Sequence, residues 1–327
     1  MRLRFQLAFG AALLSILPAA WLHAAGRVRL VPKFAPGEVM RYRIESSSKS
    51  TGKSTGPIVN PEGGSQANAS VQMLVRLEVL SLAPDRGVRL RATYEKSSAQ
   101  SEADALDLSA NSFSSRYTRL EGRTFEFTLA PNGAVTNAQD LTAAAAGESP
   151  KAVQPDLAWL AQVLPGASFP KKGIAVGEKW KSERSVDGAL LSGLAWSSEA
   201  TYLRNEPCGS NPSAASSSTA GAAASSDPAA ECAVILTQFQ ITRRGSSRAD
   251  ATPEDYRRNG LRTSGTWTGS GESLDSYSLA TGLLVSSTQS STQNMDYQVT
   301  SATTGSSVHN VGKIQSQSHI TLLSSQP

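Results

Sequence analysis

Alternation of apolar and polar side chains is the feature that most restricts how this chain folds. Two consecutive runs place an apolar residue at almost every second position, and the turn-forming sequence "PDRG" at 84–87 separates them. A period of two is typical of half-buried strands, because successive side chains of a strand point to opposite faces of a sheet. The runs therefore predict a β-hairpin. The apolar positions are Val71, Met73, Val75, Leu77, Val79, Val88, Leu90, Ala92 and Tyr94.

The same alternation returns along the rest of the chain and predicts a mostly β fold built from antiparallel sheets. Further strands are expected at 125–129, 233–241, 276–279, 283–289 and 314–323, with Ser, Thr and Gln on their polar sides. One segment differs, because 154–166 has leucines at helical spacing between Asp156 and Pro165-Gly166, and predicts one short connecting helix. The Gly-, Ser- and Lys-rich segment 46–69 is expected to be a mobile loop.

Two pairs of similar segments suggest an internal duplication. "PGEVMRYRIE" at 36–45 resembles "VGEKWKSER" at 176–184, and "FTLAPNGAV" at 127–135 resembles "YSLATGLLV" at 277–285. The pairs predict two related halves, although chance similarity of common turn residues is the alternative. The expected organisation is a first β half at 26–150, a helical connector at 151–170 and a second β half at 171–327.

The first 25 residues resemble a secretory signal. Arg2 and Arg4 precede a run that is almost wholly apolar from Phe5 to Leu22, and Ala24 and Ala25 follow it. A short membrane anchor is the alternative, and no later run is long enough to span a bilayer as a helix. The chain is therefore expected to be an exported bacterial protein, periplasmic or secreted. The formal net charge of +4 falls once the two arginines are removed, so charge alone does not argue for nucleic acid as a partner.

Cys208 and Cys232 are the only two cysteines and are predicted to form a disulfide, the default in an oxidising compartment. The residues between them are rich in Ser, Ala and Gly, so the loop 208–232 is expected to be disordered.

Two motifs resemble families of uncharacterised exported bacterial β-rich proteins, which are described as domains of unknown function. One motif is "VGEKW" at 176–180, and the other combines "GSG" at 269–271 with Tyr277 and Gly282-Leu283. The resemblance covers roughly residues 33–320 and implies export and a β-rich fold without assigning chemistry. It also suggests a likeness to envelope carriers of lipid or lipoprotein, in which a curved antiparallel sheet cradles an apolar ligand.

Several catalytic and cofactor-binding motifs are incomplete in this chain. Gly52-Lys53-Ser54 resembles the end of a phosphate-binding loop, but Ser47 stands where the first glycine belongs and prolines follow. Outside the signal, the only histidines are His309 and His319, which would lie about 33 Å apart on one strand, so no shared metal is expected. We therefore expect no nucleotide, no cofactor, no metal and no catalytic residue that can be assigned. A pair of carboxylates distant in sequence could still form a hydrolase site.

The segment 243–262 contains the most distinctive group of charges. Guanidinium groups suit phosphate and carboxylate ligands, so its arginines are candidate ligands for an anionic head group or glycan. The alternative is a solvated loop whose arginines pair with its own Asp250, Glu254 and Asp255. The candidate ligand-binding residues are Arg243, Arg244, Arg248, Arg257 and Arg258.

The sequence favours a non-catalytic binding or scaffold protein of the envelope that holds a lipid, a glycan or a protein segment. The alternative function is a secreted hydrolase that uses a carboxylate pair. Six aromatic residues are candidates either for a ligand site or for the core, and aromatics in strands are more often core. They are Phe125, Phe127, Trp180, Trp196, Trp267 and Tyr277.

Overall fold

The computed structural model describes most of the chain beyond its first 25 residues. The described ranges are 26–56, 64–83, 87–103, 109–130, 134–142, 159–163, 169–186, 190–209, 230–243, 246 and 249–326. The predicted signal, most of the loop 208–232, Arg244 and Arg248 lie outside these ranges.

Eleven strands make up most of the described structure, which confirms the prediction of a mostly β fold. They are β1 (Val39–Thr55), β2 (Gly64–Ala83), β3 (Gly87–Ala103), β4 (Thr124–Leu129), β5 (Val135–Asp140), β6 (Lys179–Ser185), β7 (Leu194–Pro207), β8 (Glu231–Arg243), β9 (Leu261–Ser278), β10 (Leu284–Ser301) and β11 (Ser307–Gln326). Short helices accompany them within the described ranges: α1 (Ser109–Thr118), α2 (Leu160–Val163) and α3 (Glu254–Arg258).

All eleven strands belong to one antiparallel sheet in the order β5-β4-β3-β2-β1-β11-β10-β9-β8-β7-β6. The expectation of more than one sheet is therefore wrong. The physical reason is that β1 pairs with β2 on one side and with β11 on the other, so the hydrogen-bond ladder continues from one half of the chain into the other. Alternation predicts which segments form strands, but it does not predict which strand edges pair.

The proposed repeat corresponds to two five-strand meanders of the sheet. Strands β1–β5 and β6–β10 progress across the sheet in the same direction, β11 lies between them, and each meander has a helix between its third and fourth strands. Their opening turns also match. Glu38 Oε2 accepts from the Ala35 amide at 3.1 Å, and Glu178 Oε2 accepts from the Ala175 amide at 3.1 Å. The duplication itself stays a prediction.

The core lies on the concave face at one end of the sheet. Apolar side chains from both meanders meet there, and α2 adds Leu160 and Val163. The segment before β1 closes this end: Val28 bridges to Ile174, Leu30 is buried, and the Arg27 guanidinium forms an ion pair with Glu178 at 2.6 Å. The largest buried side chains are Tyr42, Tyr94, Tyr202, Phe125, Phe127, Met40, Leu77, Leu90, Leu120, Leu160, Ile174 and Leu191.

The prediction of a mobile loop at 46–69 is wrong for its described residues. Strand β1 continues to Thr55 and β2 begins at Gly64. The reason is that Ser46, Ser48 and Ser50 keep the inward positions of the strand, where they face β11 partners in unbroken register. Small hydroxyl side chains are compatible with a pleated surface when the neighbouring strands supply the backbone hydrogen bonds.

The predicted helix at 154–166 is described only over 159–163, where α2 confirms helical structure. Trp159 lies at the start of this segment and is buried against the core, with its ring centroid 6.2 Å from that of Tyr42.

Candidate functional site

A groove of about 1380 Å³ lies on the concave face of the sheet, beyond the apolar core. One layer of inward-pointing residues crosses eight strands at its level, and each is the direct register partner of the next. We call these residues the serine layer, because five of the eight are serine. In sheet order they are Ala69, Ser48, Ser316, Ser291, Gly271, Phe239, Ser198 and Ser182.

The groove is open because the inward positions change from large to small side chains along the same strands. On β1, Met40, Tyr42 and Ile44 fill the core, and the next inward residues are Ser46 and Ser48. A serine replaces each large apolar side chain without changing the strand period, so the sheet continues while the space between its walls widens. The wall of the groove is therefore part of the rigid sheet, a favourable place for a binding site.

Cross-strand hydrogen bonds order the serine layer. Ser182 and Ser198 share a hydrogen bond of 2.8 Å between their hydroxyls, and Ser291 and Ser316 share one of 2.7 Å. Each hydroxyl retains further donor or acceptor capacity that can face the groove. The layer can therefore hydrogen-bond a polar group of a ligand without providing a formal charge.

A stack of three side chains, Phe239, Trp196 and Arg184, starts at the edge of the groove, where Phe239 lines it. The Trp196 ring stacks on Phe239 with centroids 3.9 Å apart, and the Arg184 guanidinium lies 4.9 Å from the centroid of Trp196. Phe239 covers Gly271, since a Cβ atom there would lie 2.4 Å from the Phe239 Cζ atom. Partial burial lowers the pKa of Arg184 from its ordinary value. The stack fixes an aromatic surface and a cation beside the neutral serines.

The two layers beyond the serines, towards the open end, are more apolar. Trp196, Ile241 and Ile314 occupy the next layer, and Trp267 and Met295 occupy the one after it. The Trp267 indole donates to the Gln293 side-chain oxygen at 3.0 Å, which holds the ring in place. We call these residues the apolar belt. The concave face thus presents polar and apolar surfaces next to each other.

On the core side of the groove, Asp275 is a buried carboxylate without a cationic partner among its hydrogen bonds. Its two oxygens accept from the Ser287 hydroxyl at 2.6 Å and the Ser273 hydroxyl at 2.8 Å. Burial raises its pKa from an ordinary value of 3.8 to about 6, against the opposing effect of the two serine donors. The layer of Asp275 therefore separates the packed core from the polar part of the groove.

The candidate arginines at 243–262 are engaged with their own segment where the structure describes them. The Arg243 guanidinium donates to the backbone carbonyls of Ser246 at 2.7 Å and Gly265 at 2.9 Å. Arg257 lies 3.5 Å from Glu254 and 3.7 Å from Asp250, and Arg258 lies 3.4 Å from Glu254. These contacts agree with the solvated, self-paired interpretation. Their ligand role stays a prediction, and Arg244 and Arg248 lie outside the described residues.

The candidate aromatic residues divide between the core and the groove. Phe125, Phe127 and Tyr277 are buried in the core, and Trp180 packs against it. Trp196 and Trp267 lie on the concave face towards the open end, as described above. The predicted disulfide between Cys208 and Cys232 is confirmed.

The buried carboxylates are not paired with one another in the described structure. Glu126 bonds to Arg89 at 2.5 Å and to Arg91 at 2.6 Å, and these two arginines lower its pKa despite burial. Asp140 bonds to Arg123 at 2.8 Å, and Asp275 bonds to two serines. Each carboxylate therefore has its own donors, and the described layer of Asp275 contains no second carboxylate. This geometry gives no support to a two-carboxylate hydrolase.

Within the described ranges, no group of three or more His, Cys, Asp or Glu side chains is placed to hold a metal ion. No helix in this part of the chain is long and apolar enough to cross a membrane.

Comparisons with known proteins do not identify a family. No protein-family model matches the chain, and no curated protein matches it. Among solved structures, the outer membrane protein OprG from Pseudomonas aeruginosa aligns over 89% of this chain and 97% of its own chain, with 8% identity and a TM-score of 0.17. That TM-score is too low to establish a common fold or a common function.

Sequence reasoning missed the serine layer, Arg184 and Asp275. A signal for the serine layer was present in β1, where serines follow Met40, Tyr42 and Ile44 at the same period of two. The alignment of serines from several strands at one level depends on register, which a single strand pattern does not contain.

Proposed function

We propose that this chain is a non-catalytic binding protein of the bacterial envelope, which holds an amphiphilic ligand of the lipid class in the groove. The observation that carries the proposal is the concave face, where the serine layer lines an open space of about 1380 Å³ and the apolar belt occupies the next two layers towards the open end. A ligand with a polar group and an apolar chain matches both surfaces at once.

The size of the groove supports a large ligand. Typical sites for drug-sized molecules have volumes of roughly 300–1000 Å³, so this groove is larger than most of them. Its inward-pointing serines are neutral. The charged residues of its lining, Lys49, Lys181, Glu183, Glu199 and Glu272, are of both signs and occupy outward positions of their strands. A predominantly apolar chain with a neutral or weakly anionic polar group therefore fits better than a highly charged molecule.

The envelope location is supported by the signal-like N-terminus and by the disulfide between Cys208 and Cys232. Disulfides persist in oxidising compartments and are rare in the cytosol.

The test is native mass spectrometry of the protein isolated from bacterial envelopes, followed by extraction and identification of any bound lipid. Ser48→Trp places a bulky ring at an inward position of the groove and is expected to reduce the lipid-bound fraction at least tenfold. Ser81→Trp is the matched control, because Ser81 is an exposed serine of the neighbouring strand β2 and is not among the residues that line the groove. It is expected to leave the bound fraction unchanged.

Two results would contradict the proposal. One is a wild-type protein without any retained lipid, and the other is equal lipid occupancy in Ser48→Trp and Ser81→Trp. Circular dichroism of both variants verifies that the sheet is intact before the comparison is made.

A further inference from the structure

A second hollow, of about 730 Å³, lies near the far end of β1, β9, β10 and β11. Most residues that line it belong to the outward positions of these strands, opposite to the groove. We call it the outer hollow. Its lining residues are Thr51, Gly52, Lys53, Thr55, Thr266, Thr268, Asn294, Met295, Asp296, His309, Val311, Gly312 and Lys313.

Two lysines stand close together in the outer hollow. Lys313 is the register partner of Thr51, and Lys53 is the register partner of Val311, so the lysines are diagonal neighbours on adjacent strands. Diagonal neighbours have Cα atoms about 7–8 Å apart, within reach of long side chains, and like charges on paired strands oppose each other. Within the described ranges neither lysine has an ion pair. An anion bound between the two ammonium groups would remove this repulsion.

Among the described residues that line the outer hollow, the one carboxylate is Asp296. Its Oδ1 lies 2.7 Å from His309 Nε2, and by register it is also a diagonal neighbour of Lys313, whereas the strand that contains Val311 separates it from Lys53. One carboxylate shared with a histidine stands beside two lysines, so the outer hollow keeps an excess of positive charge.

Neutral hydrogen-bond donors surround the lysines. Thr51, Thr55 and Thr268 contribute hydroxyls and Asn294 contributes an amide, and all four lie at outward positions of the lining. Ammonium groups together with hydroxyl and amide donors match the several acceptor oxygens of a phosphate group, for which lysine acts as a point charge.

Glycines face each other across the strands at this level. Gly52 and Gly312 are direct register partners, and a Cβ atom on Gly52 would lie 3.3 Å from the Val311 carbonyl oxygen. Glycine in a strand interior often marks a bend or a close approach of backbone. Neither glycine places a side chain between the strands, so the two backbones can come close beside the outer hollow.

We propose that the outer hollow is a binding site for a phosphate-bearing anion, with Lys53 and Lys313 as the charged ligands. The site lies on the opposite face from the groove, so it does not depend on the proposed ligand of the groove. The phosphate belongs either to a free phosphorylated solute or to the head group of an anionic lipid at a bilayer surface. Val311, which is 47% exposed beside Lys53, provides apolar surface next to the charges.

The experiment measures binding of inorganic phosphate by calorimetry and binding to vesicles by sedimentation, with phosphatidylglycerol vesicles compared to phosphatidylcholine vesicles. The test variant is Lys53→Gln/Lys313→Gln. The control is Lys96→Gln/Lys171→Gln, which removes the same charge from two exposed lysines outside the outer hollow.

We expect the test variant to lose about 25-fold in affinity for the anion that binds, because each basic side chain near an anionic surface contributes about a fivefold factor. The control variant is expected to change the affinity less than about twofold, because a distant surface charge is largely screened by salt.

Binding of phosphate alone identifies a soluble phosphorylated ligand, and salt-dependent binding to phosphatidylglycerol vesicles alone identifies a lipid head group. The proposal is overturned if neither binds, or if the test and control variants behave alike. Thermal unfolding of both variants controls for loss of fold.

Discussion

The closed end and the groove end of the sheet are built by the same strands in two different ways. At the closed end the inward positions of β1 and β2 are large and apolar, and Met40, Tyr42 and Leu77 are fully buried. At the groove end the inward positions of the same strands are Ser48, Ala69 and their neighbours. The backbone ladder is continuous through both regions. Strand pairing and core formation are therefore separable, since strands persist where little apolar surface is buried.

Truncation of a side chain is expected to lower the free energy of unfolding much more at the closed end than at the groove end. Leu77→Ala removes a fully buried side chain and is expected to lower the free energy of unfolding by about 2–5 kcal/mol. Ser48→Ala removes a hydroxyl that faces the groove and is expected to cost less than about 1 kcal/mol. Urea denaturation of both variants measures the contrast. Equal losses would mean that the groove end is packed as tightly as the core.

Asp275 lies at the boundary between the two ends and makes stability depend on pH. Its pKa is raised in the folded state, so the folded protein holds a proton that the unfolded chain has already released. The free energy of unfolding is therefore expected to fall as the pH rises from about 4 to about 6, by up to about 3 kcal/mol. Asp275→Asn removes this loss and is expected to be more stable than the wild type at pH 7.5.

Chemical denaturation across this pH range tests the prediction. Asp255→Asn, at an exposed position of α3, is the control and should keep the wild-type pH profile. A wild-type profile that rises with pH in this range, or an Asp275→Asn profile identical to the wild type, would reject the boundary role of Asp275.

The smallest expected loss of stability comes from alanine substitutions in the two opening turns. Gly37 and Gly177 have φ values of 88° and 82°, and nothing lies within 4 Å of a Cβ atom at either position. Alanine there costs only backbone strain, about 1–2 kcal/mol. We expect Gly37→Ala to lower global stability by that amount, because it precedes the central strand β1.

Gly177→Ala is expected to have a smaller effect on global unfolding, because it precedes the edge strand β6, which can open locally. Hydrogen exchange is expected to increase in β6 without a matching increase in β1. Equal global losses in the two variants would show that the edge and the centre unfold together.

The sequence predicted the strands of the closed end well, because Val71 to Val79 alternate strongly and their apolar side chains point to one face. It failed for the extension of β1 beyond Ile44, where serine and glycine have no strand signal of their own and the partner strand β11 decides the structure. The arginine cluster and the acids that pair with Arg257 were visible in the sequence, but the backbone carbonyls that accept from Arg243 were not. Asp275 was missed because burial of a carboxylate depends on its neighbours on the two adjacent strands, β8 and β10.

The pairing of β1 with β11 has a consequence for the order in which the chain folds. The Ser325 hydroxyl donates to Glu38 Oε1 at 2.9 Å, and these residues are 287 positions apart in sequence. A contact between such distant segments forms late and slows folding. Strand β1 can pair early with its sequence neighbour β2, but its second edge stays unpaired until β11 is available. An intact central sheet therefore requires β1, β2 and β11 together, and the middle of the sheet is completed only when segments distant in sequence have met.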